Sequence, residues 1–269
     1  AKTLLVSAVA NTFKAKFARI QFTPDMLPAD ILGTRIFDAK TAEFSTVKGP
    51  IFANIVLADE INRAPQKTQS ALLEVMQERQ VTIAESTYKM DDPFWVLATQ
   101  NPVEQEGVFS LPEAQLDRFA MMIRVDYPDP EHEFKMLATK LEELRMEAVA
   151  EPQTVVQIRS LANKIHVDDK IRRYIVAIGQ ATRAHGPNPL PIVKEMVQYG
   201  ISPRSYQHLL AMSRSAAFFH GREYVSPADV KYIANDVLHH RMSRTIRAEV
   251  EGVTTDEVVA EVLRRTPIP

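Results

Sequence analysis

Residues Asn54–Arg63 read N-I-V-L-A-D-E-I-N-R, an apolar run ending in two adjacent carboxylates. Ile55, Val56, Leu57 and Ala58 are too continuous for a strand with one wet face. They suit a strand buried on both faces, as in a parallel sheet covered by helices. Asp59 and Glu60 then fall at the strand's carboxyl end, where open α/β sheets form a ligand crevice. A bare Asp-Glu pair is also what a strand leaves as it runs into a solvated loop. The start of the chain shifts the balance. Ala1-Lys2-Thr3 is followed by Leu4, Leu5, Ala8, Val9 and Phe13, apolar residues at helical spacing. Lys-Thr opening an amphipathic helix is how a phosphate-binding P-loop ends, with Lys at the β/γ-phosphates and the Thr hydroxyl on Mg²⁺. The two stretches together predict a nucleoside triphosphatase.

Composition sets the bounds. The chain has 269 residues, enough for one large domain or two smaller ones. At 45% hydrophobic and 25% charged it is close to an ordinary globular chain. A net charge of −2 makes no electrostatic case for nucleic acid or anionic membrane as the main partner. The absence of cysteine excludes disulfides and thiolate metal sites and suits a reducing cytosol, so a cytoplasmic location is expected. No eighteen-residue apolar run or signal-peptide pattern is visible. The first residue is Ala rather than Met, so the glycines of a P-loop are expected just upstream of it.

Outward from the acidic strand, elements alternate. Phe17–Phe22 reads as a strand, and Thr23-Pro24-Asp25 as the cap of a short helical turn that Gly33 ends. Residues 36–50 and 80–90 read as hairpins. Ala64-Pro65 opens a helix with Leu72, Leu73, Val75 and Met76 on its buried side, and Phe94–Thr99 is a further strand. Leu111-Pro112-Glu113 starts a helix, and Met121–Val125 is expected to be the last strand. From about Glu131 onward only helices are expected, with Pro152 as the break. Ser202-Pro203, Ser226-Pro227 and the Thr254/Glu257 capping box are their start signals. The fold expected is α/β over 1–150, with a helical domain over 151–269.

Phosphoryl transfer asks for charge neutralisation and a positioned water more than for covalent chemistry. Lys2 is the candidate cation at the transferred phosphate, and Thr3 and Asp59 are the candidate Mg²⁺ holders, Asp59 through water. Glu60 is placed to orient or deprotonate the attacking water. Asn101, after the next strand, could fix the same water; an Asx turn before Pro102 explains it as well. Arg118 in L-D-R-F is either a surface partner of Asp117 or Glu113, or an arginine finger for a neighbouring subunit's nucleotide. Arg204 sits in a first helical turn, against the dipole, which points to an anionic partner or to a solvated side chain. Lys14, Lys16 and Arg19 read as a solvated helix end, and His239-His240 as surface or interface residues.

With these positions assembled, the chain resembles the MoxR-type AAA+ ATPases over essentially its whole length. The resemblance rests on A-K-T-L-L, R-I-Q-F-T-P-D-M-L-P-A-D-I-L-G, G-P-I-F-A-N-I-V-L-A-D-E-I-N-R-A-P, A-L-L-E-V-M-Q-E-R-Q-V-T-I and A-T-Q-N-P-V-E-Q-E-G. L-P-E-A-Q-L-D-R-F, G-I-S-P-R-S and E-G-V-T-T-D-E-V complete the ordered series. It implies a P-loop AAA+ core of about five parallel strands, a helical lid, and a homo-oligomeric ring, usually a hexamer, with ATP between subunits. By motif, Lys2 and Thr3 fall in Walker A, Asp59 and Glu60 in Walker B, Asn101 at sensor 1, Arg118 at the arginine finger and Arg204 at sensor 2. Residues 36–50 correspond to the helix-2 insert and 80–90 to the pre-sensor-1 hairpin; Thr23 is the candidate switch on Glu60. Ala1 departs from the pattern, which has Gly before the Lys.

The activity expected is ATP hydrolysis driving chaperone-like remodelling of protein complexes, with ATP and Mg²⁺ as cofactors. Client proteins and von Willebrand factor A domain proteins are the partners the resemblance implies. A nucleotide-dependent scaffold without turnover is the first alternative. A nucleic-acid motor is the second, disfavoured by near-neutral charge and isolated Lys40, Lys48 and Lys89.

Overall fold

The computed structural model describes residues 2–100, 109–138, 147–186 and 189–269, with Lys2 described in its backbone alone. The chain forms two compact units, Ala1–Leu111 with Arg124–Gln157, and Pro112–Ile123 with Ile158–Pro269.

In the first unit, α1 (Lys2–Thr12) leads to β1 (Phe17–Gln21), α2 (Pro28–Leu32), the hairpin β2 (Gly33–Asp38) and β3 (Glu43–Lys48), and then β4 (Ile55–Asp59). A 3-10 turn, Ile61–Arg63, precedes α3 (Gln66–Glu78). A second hairpin of β5 (Gln80–Ile83) and β6 (Ser86–Lys89) is followed by β7 (Trp95–Ala98). The sheet has the order β1-β4-β7, with both pairings parallel, so β4 is the central strand. All five β4 residues are buried, as a continuous apolar run requires. Asn54 sets the strands' starting line. Its Oδ1 accepts the Lys16 N–H at 3.1 Å and its Nδ2 donates to the Pro93 carbonyl at 3.0 Å.

On α1 it is Val6 and Ala10, one turn apart, that pack with Ile55 and Leu57. Leu4 and Leu5, two of the apolar residues at helical spacing, are exposed. α3 buries Leu72, Leu73 and Val75, and the buried Gln69 donates from Nε2 to the carbonyls of Ile61, Ala64 and Phe109, fixing the turn that follows the acidic pair. The β2–β3 hairpin is unlike the rest: Ile36, Phe37, Phe44 and Val47 are all exposed. Phe37 and Phe44 meet with ring centroids 5.1 Å apart, and the Arg35 guanidinium lies over Phe44.

After β7 come α4 (Glu113–Leu116), which belongs to the second unit, and α5 (Pro130–Ala138), which belongs to the first. The strand expected over Met121–Val125 is absent. The segment's backbone is engaged elsewhere in the second unit: the Met122 N–H donates to the Asp236 carbonyl at 2.8 Å. The described residues therefore give three parallel strands.

The second unit continues with α6 (Pro152–Asn163), in which the chain crosses from the first, then α7 (Asp169–Ala181) and α8 (Pro191–Met196). The short β8 (Val197–Tyr199), α9 (Pro203–Phe219) and α10 (Pro227–Leu238) follow. β9 (Ser243–Arg244), α11 (Ile246–Val250) and α12 (Thr255–Arg265) complete it. β8 and β9 pair antiparallel, so this half is not purely helical as the periodicity predicts; a three- and a two-residue strand are too short to register in it. Ile171, Ile175 and Ile178 of α7, Leu209 of α9 and Val230, Val237 and Leu238 of α10 are among its core. α7 and α9 approach so closely that a Cβ on Gly179 would lie 1.9 Å from the Tyr206 ring. Ser226/Asp229 and Thr254/Glu257 both form capping boxes.

Candidate functional site

β4 carries Asp59 to the end of the sheet, and register sets Gln21 of β1 beside it. The Asp59 oxygens are shared among four groups. Oδ1 accepts the Thr99 hydroxyl at 2.6 Å. Oδ2 accepts Arg19 Nε at 2.9 Å, Arg19 Nη2 at 2.7 Å and the Thr3 hydroxyl at 3.3 Å. Burial alone would raise this carboxyl, but the Thr99 hydroxyl and the Arg19 guanidinium outweigh burial and hold it below its ordinary value. Asp59 is therefore ionised at neutral pH.

Glu60 leaves the strand sharply. Its backbone is left-handed, φ 57° and ψ 49°, an uncommon state for a residue with a Cβ, costing on the order of 1 kcal/mol or more. Thr99 stabilises the turn by accepting the Glu60 N–H at its hydroxyl (2.9 Å) and the Ile61 N–H at its carbonyl (3.1 Å). The Glu60 carboxylate accepts Gln21 Nε2 at 2.8 Å and pairs with Arg63 Nε at 3.2 Å. Gln21 Oε1 in turn accepts Arg19 Nη2 at 2.7 Å. One chain of contacts thus joins the two acids: Asp59, Arg19, Gln21, Glu60.

The structure sets the Thr3 hydroxyl on Asp59, with Glu60 next in the chain and its carboxylate on Gln21 and Arg63. Lys2 begins α1, and Asn101 lies outside the described residues. The Thr23 hydroxyl donates to Asp25 at 2.6 Å, and the group at Glu60 is Gln21. Arg19 is no solvated helix end; it lies on β1 with its guanidinium on Asp59. The period-2 alternation puts Phe17, Arg19 and Gln21 on one face of β1, but nothing in the sequence says that this face meets the acidic pair.

Arg118 and Arg204 belong to the second unit. Arg118, partly exposed, lies in the turn after α4, just past its C-cap Asp117. Arg204 Nη1 lies 3.7 Å from Asp117 Oδ2, so the anion that its position against the dipole calls for is present in the chain itself. Ser202 stands at the N-cap of α9, but its hydroxyl donates to Asp117 at 3.0 Å instead of capping. Arg241, which sequence reasoning passed over, donates from Nε to Asp117 Oδ1 at 3.1 Å. His239 and His240 are buried rather than at the surface, because the 3-10 turn after α10 folds them inward. His240 Nε2 faces Arg241 Nη1 at 2.7 Å and must accept, since a guanidinium only donates.

A hydroxyl and an ionised carboxylate are hard oxygen donors, and Mg²⁺ takes few protein ligands, keeping water and phosphate for the rest. Among the described residues no cluster of three or more His, Cys, Asp or Glu could form a protein-built metal cage. Asp59 already attracts one cation, Arg19. Thr3 and Asp59 therefore fit a magnesium that arrives with a polyphosphate.

These features belong to a recognised class. The family model for the ATPase family associated with various cellular activities (AAA) matches residues 1–121, and the AAA lid domain model matches residues 191–262. Chaperone MoxR1 of Mycobacterium tuberculosis is 44% identical over all of this chain and 72% of its own length. An uncharacterised Bacillus subtilis protein, YeaC, is 43% identical over all of this chain and 82% of its own. A crystal structure from Cytophaga hutchinsonii superimposes with a TM-score of 0.92 at 43% identity, covering all of this chain and 82% of that one. The chain belongs to the MoxR family of AAA+ ATPases.

Proposed function

We propose that the protein hydrolyses ATP with Mg²⁺ and couples the hydrolysis to chaperone-like remodelling of client protein complexes, working as a homo-oligomeric ring, most simply a hexamer. The observation that carries the reading is the Thr3 hydroxyl at 3.3 Å from an ionised Asp59, with Glu60 next in the chain and its carboxylate fixed by Gln21. Thr3 and Asp59 hold the metal, and Lys2 binds the phosphates. Magnesium, when bound, neutralises phosphate charge. Glu60 orients the attacking water and accepts its proton, and Asn101 holds that water or the terminal phosphate. Arg118 reaches a neighbouring subunit's nucleotide, and Arg204 reports nucleotide state to the lid. The name of the mycobacterial relative supports the chaperone-like part. A von Willebrand factor A domain protein is the partner class proposed.

A second reading, a nucleotide-held scaffold, has one observation in its favour: both carboxylates are engaged by internal cations, Asp59 by Arg19 and Glu60 by Arg63. Phosphate release by the full-length protein separates the two, with Glu60→Gln as control. Turnover well above the control, rising with protein concentration, is expected; wild-type release no faster than Glu60→Gln at every concentration leaves the scaffold.

A further inference from the structure

In the second unit, the residues on either side of Arg118 are gripped by one buried guanidinium. The Arg241 side chain is wholly shielded from solvent. Its Nε donates to Asp117 Oδ1 at 3.1 Å, and its Nη2 donates to the Asp117 carbonyl at 3.2 Å and to the Phe119 carbonyl. Its Nη1 reaches the Ala120 carbonyl at 3.4 Å and returns to the Val237 carbonyl at 2.6 Å, at the end of α10. Arg118 is thus the one residue between two carbonyls bound by the same rigid fork. Its own side chain is left partly exposed.

Two further contacts secure the segment. The Ser202 hydroxyl donates to Asp117 Oδ2 at 3.0 Å, and the Met122 N–H donates to the Asp236 carbonyl. His240 Nε2 accepts from Arg241 Nη1, which fixes the plane of the guanidinium. A buried charge is costly unless paired and fully hydrogen-bonded, and an apolar residue would serve packing as well. What an arginine adds here is geometry: donors in a fixed plane, set against backbone carbonyls on both sides of Arg118, the Val237 carbonyl and the Asp117 carboxylate.

We propose that Arg241 is the positioning residue for Arg118, holding the backbone on both sides of it so that its guanidinium is presented in one direction to the neighbouring subunit. This rests on the reading of Arg118 as a finger acting in trans. A displaced finger fails even when chemically intact, since a shift of about 1 Å at a catalytic group costs about 10²-fold.

The test mixes two full-length chains. Glu60→Gln subunits keep a finger but have a dead site, and Arg118→Ala subunits keep a live site but lack a finger. Each alone is expected to turn over poorly, and the mixture is expected to regain turnover at interfaces where the first serves the second. Arg241→Lys is then placed either in the finger-bearing or in the fingerless chain. Positioning predicts a loss about 10²-fold greater in the finger-bearing placement. Equal losses in the two placements, the signature of a general weakening of the helical unit, overturn the proposal. No regained turnover in the parent mixture removes the trans reading itself, and the proposal falls with it. Should Arg241→Lys chains fail to fold, Asp117→Asn goes through the same two placements and is read in the same way.

Discussion

A single hydroxyl, that of Thr99, serves both acids: it donates to Asp59 and accepts the N–H of Glu60. Thr99→Val keeps the shape but strands a buried acceptor and a backbone donor. The expected cost is about 1–3 kcal/mol in denaturant unfolding, whereas a surface Thr→Val change would leave the midpoint nearly unmoved. His240 makes a separate prediction. Burial first, and the neighbouring Arg241 second, lower its pKa from the ordinary 6.5 to about 3. Between those values the unfolded chain takes up a proton that the folded chain refuses, so stability falls as pH drops from 6.5 toward 3. At pH 5 the loss relative to neutral pH is about 2 kcal/mol. His240→Gln, which retains an acceptor for Arg241, should flatten the decline of thermal midpoint with acidity. His208, lowered chiefly by its own burial, adds a parallel contribution, while Asp229, at about 2, acts only in stronger acid.

At the level of elements, the central strand and its neighbours were readable because burial leaves a continuous apolar run and the register then follows. Leu57, wholly buried in β4 against α1, should cost about 2–5 kcal/mol when cut to Ala, read as a lower denaturant midpoint with an unchanged slope. Gly179→Ala should also destabilise, because the new methyl meets the Tyr206 ring of α9; Gly179→Ala combined with Tyr206→Leu should recover part of the loss. The acidic pair and Thr3 were legible because their types and spacing are tied to one chemistry. Arg19, Gln21 and Arg241 were not, for a shared reason. A charged or amide side chain announces no partner in sequence, and each meets its partner only after strands or helices far apart in the chain have packed. Met121–Val125 misled for the converse reason: its β-prone residues are real, but the Phe119 and Ala120 carbonyls just before them are taken by Arg241, and the Met122 N–H is taken by the Asp236 carbonyl of α10.

For the whole molecule, the proposed activity belongs to the assembly rather than to one chain. Arg118→Ala is expected to leave nucleotide affinity within a few-fold and to lower turnover by about 10³-fold or more, measured by nucleotide titration beside phosphate release. Turnover unchanged by the substitution would return Arg118 to the ordinary surface. Among the described residues no helix is long and apolar enough to cross a membrane. The aromatic ribbon of β2 and β3 has a consequence of its own. Ile36, Phe37, Phe44 and Val47 stand outside the buried core and meet mainly one another, so single replacements there are expected to cost the fold less than a change at Leu57. The ribbon's composition is thereby set by demands other than those of the interior.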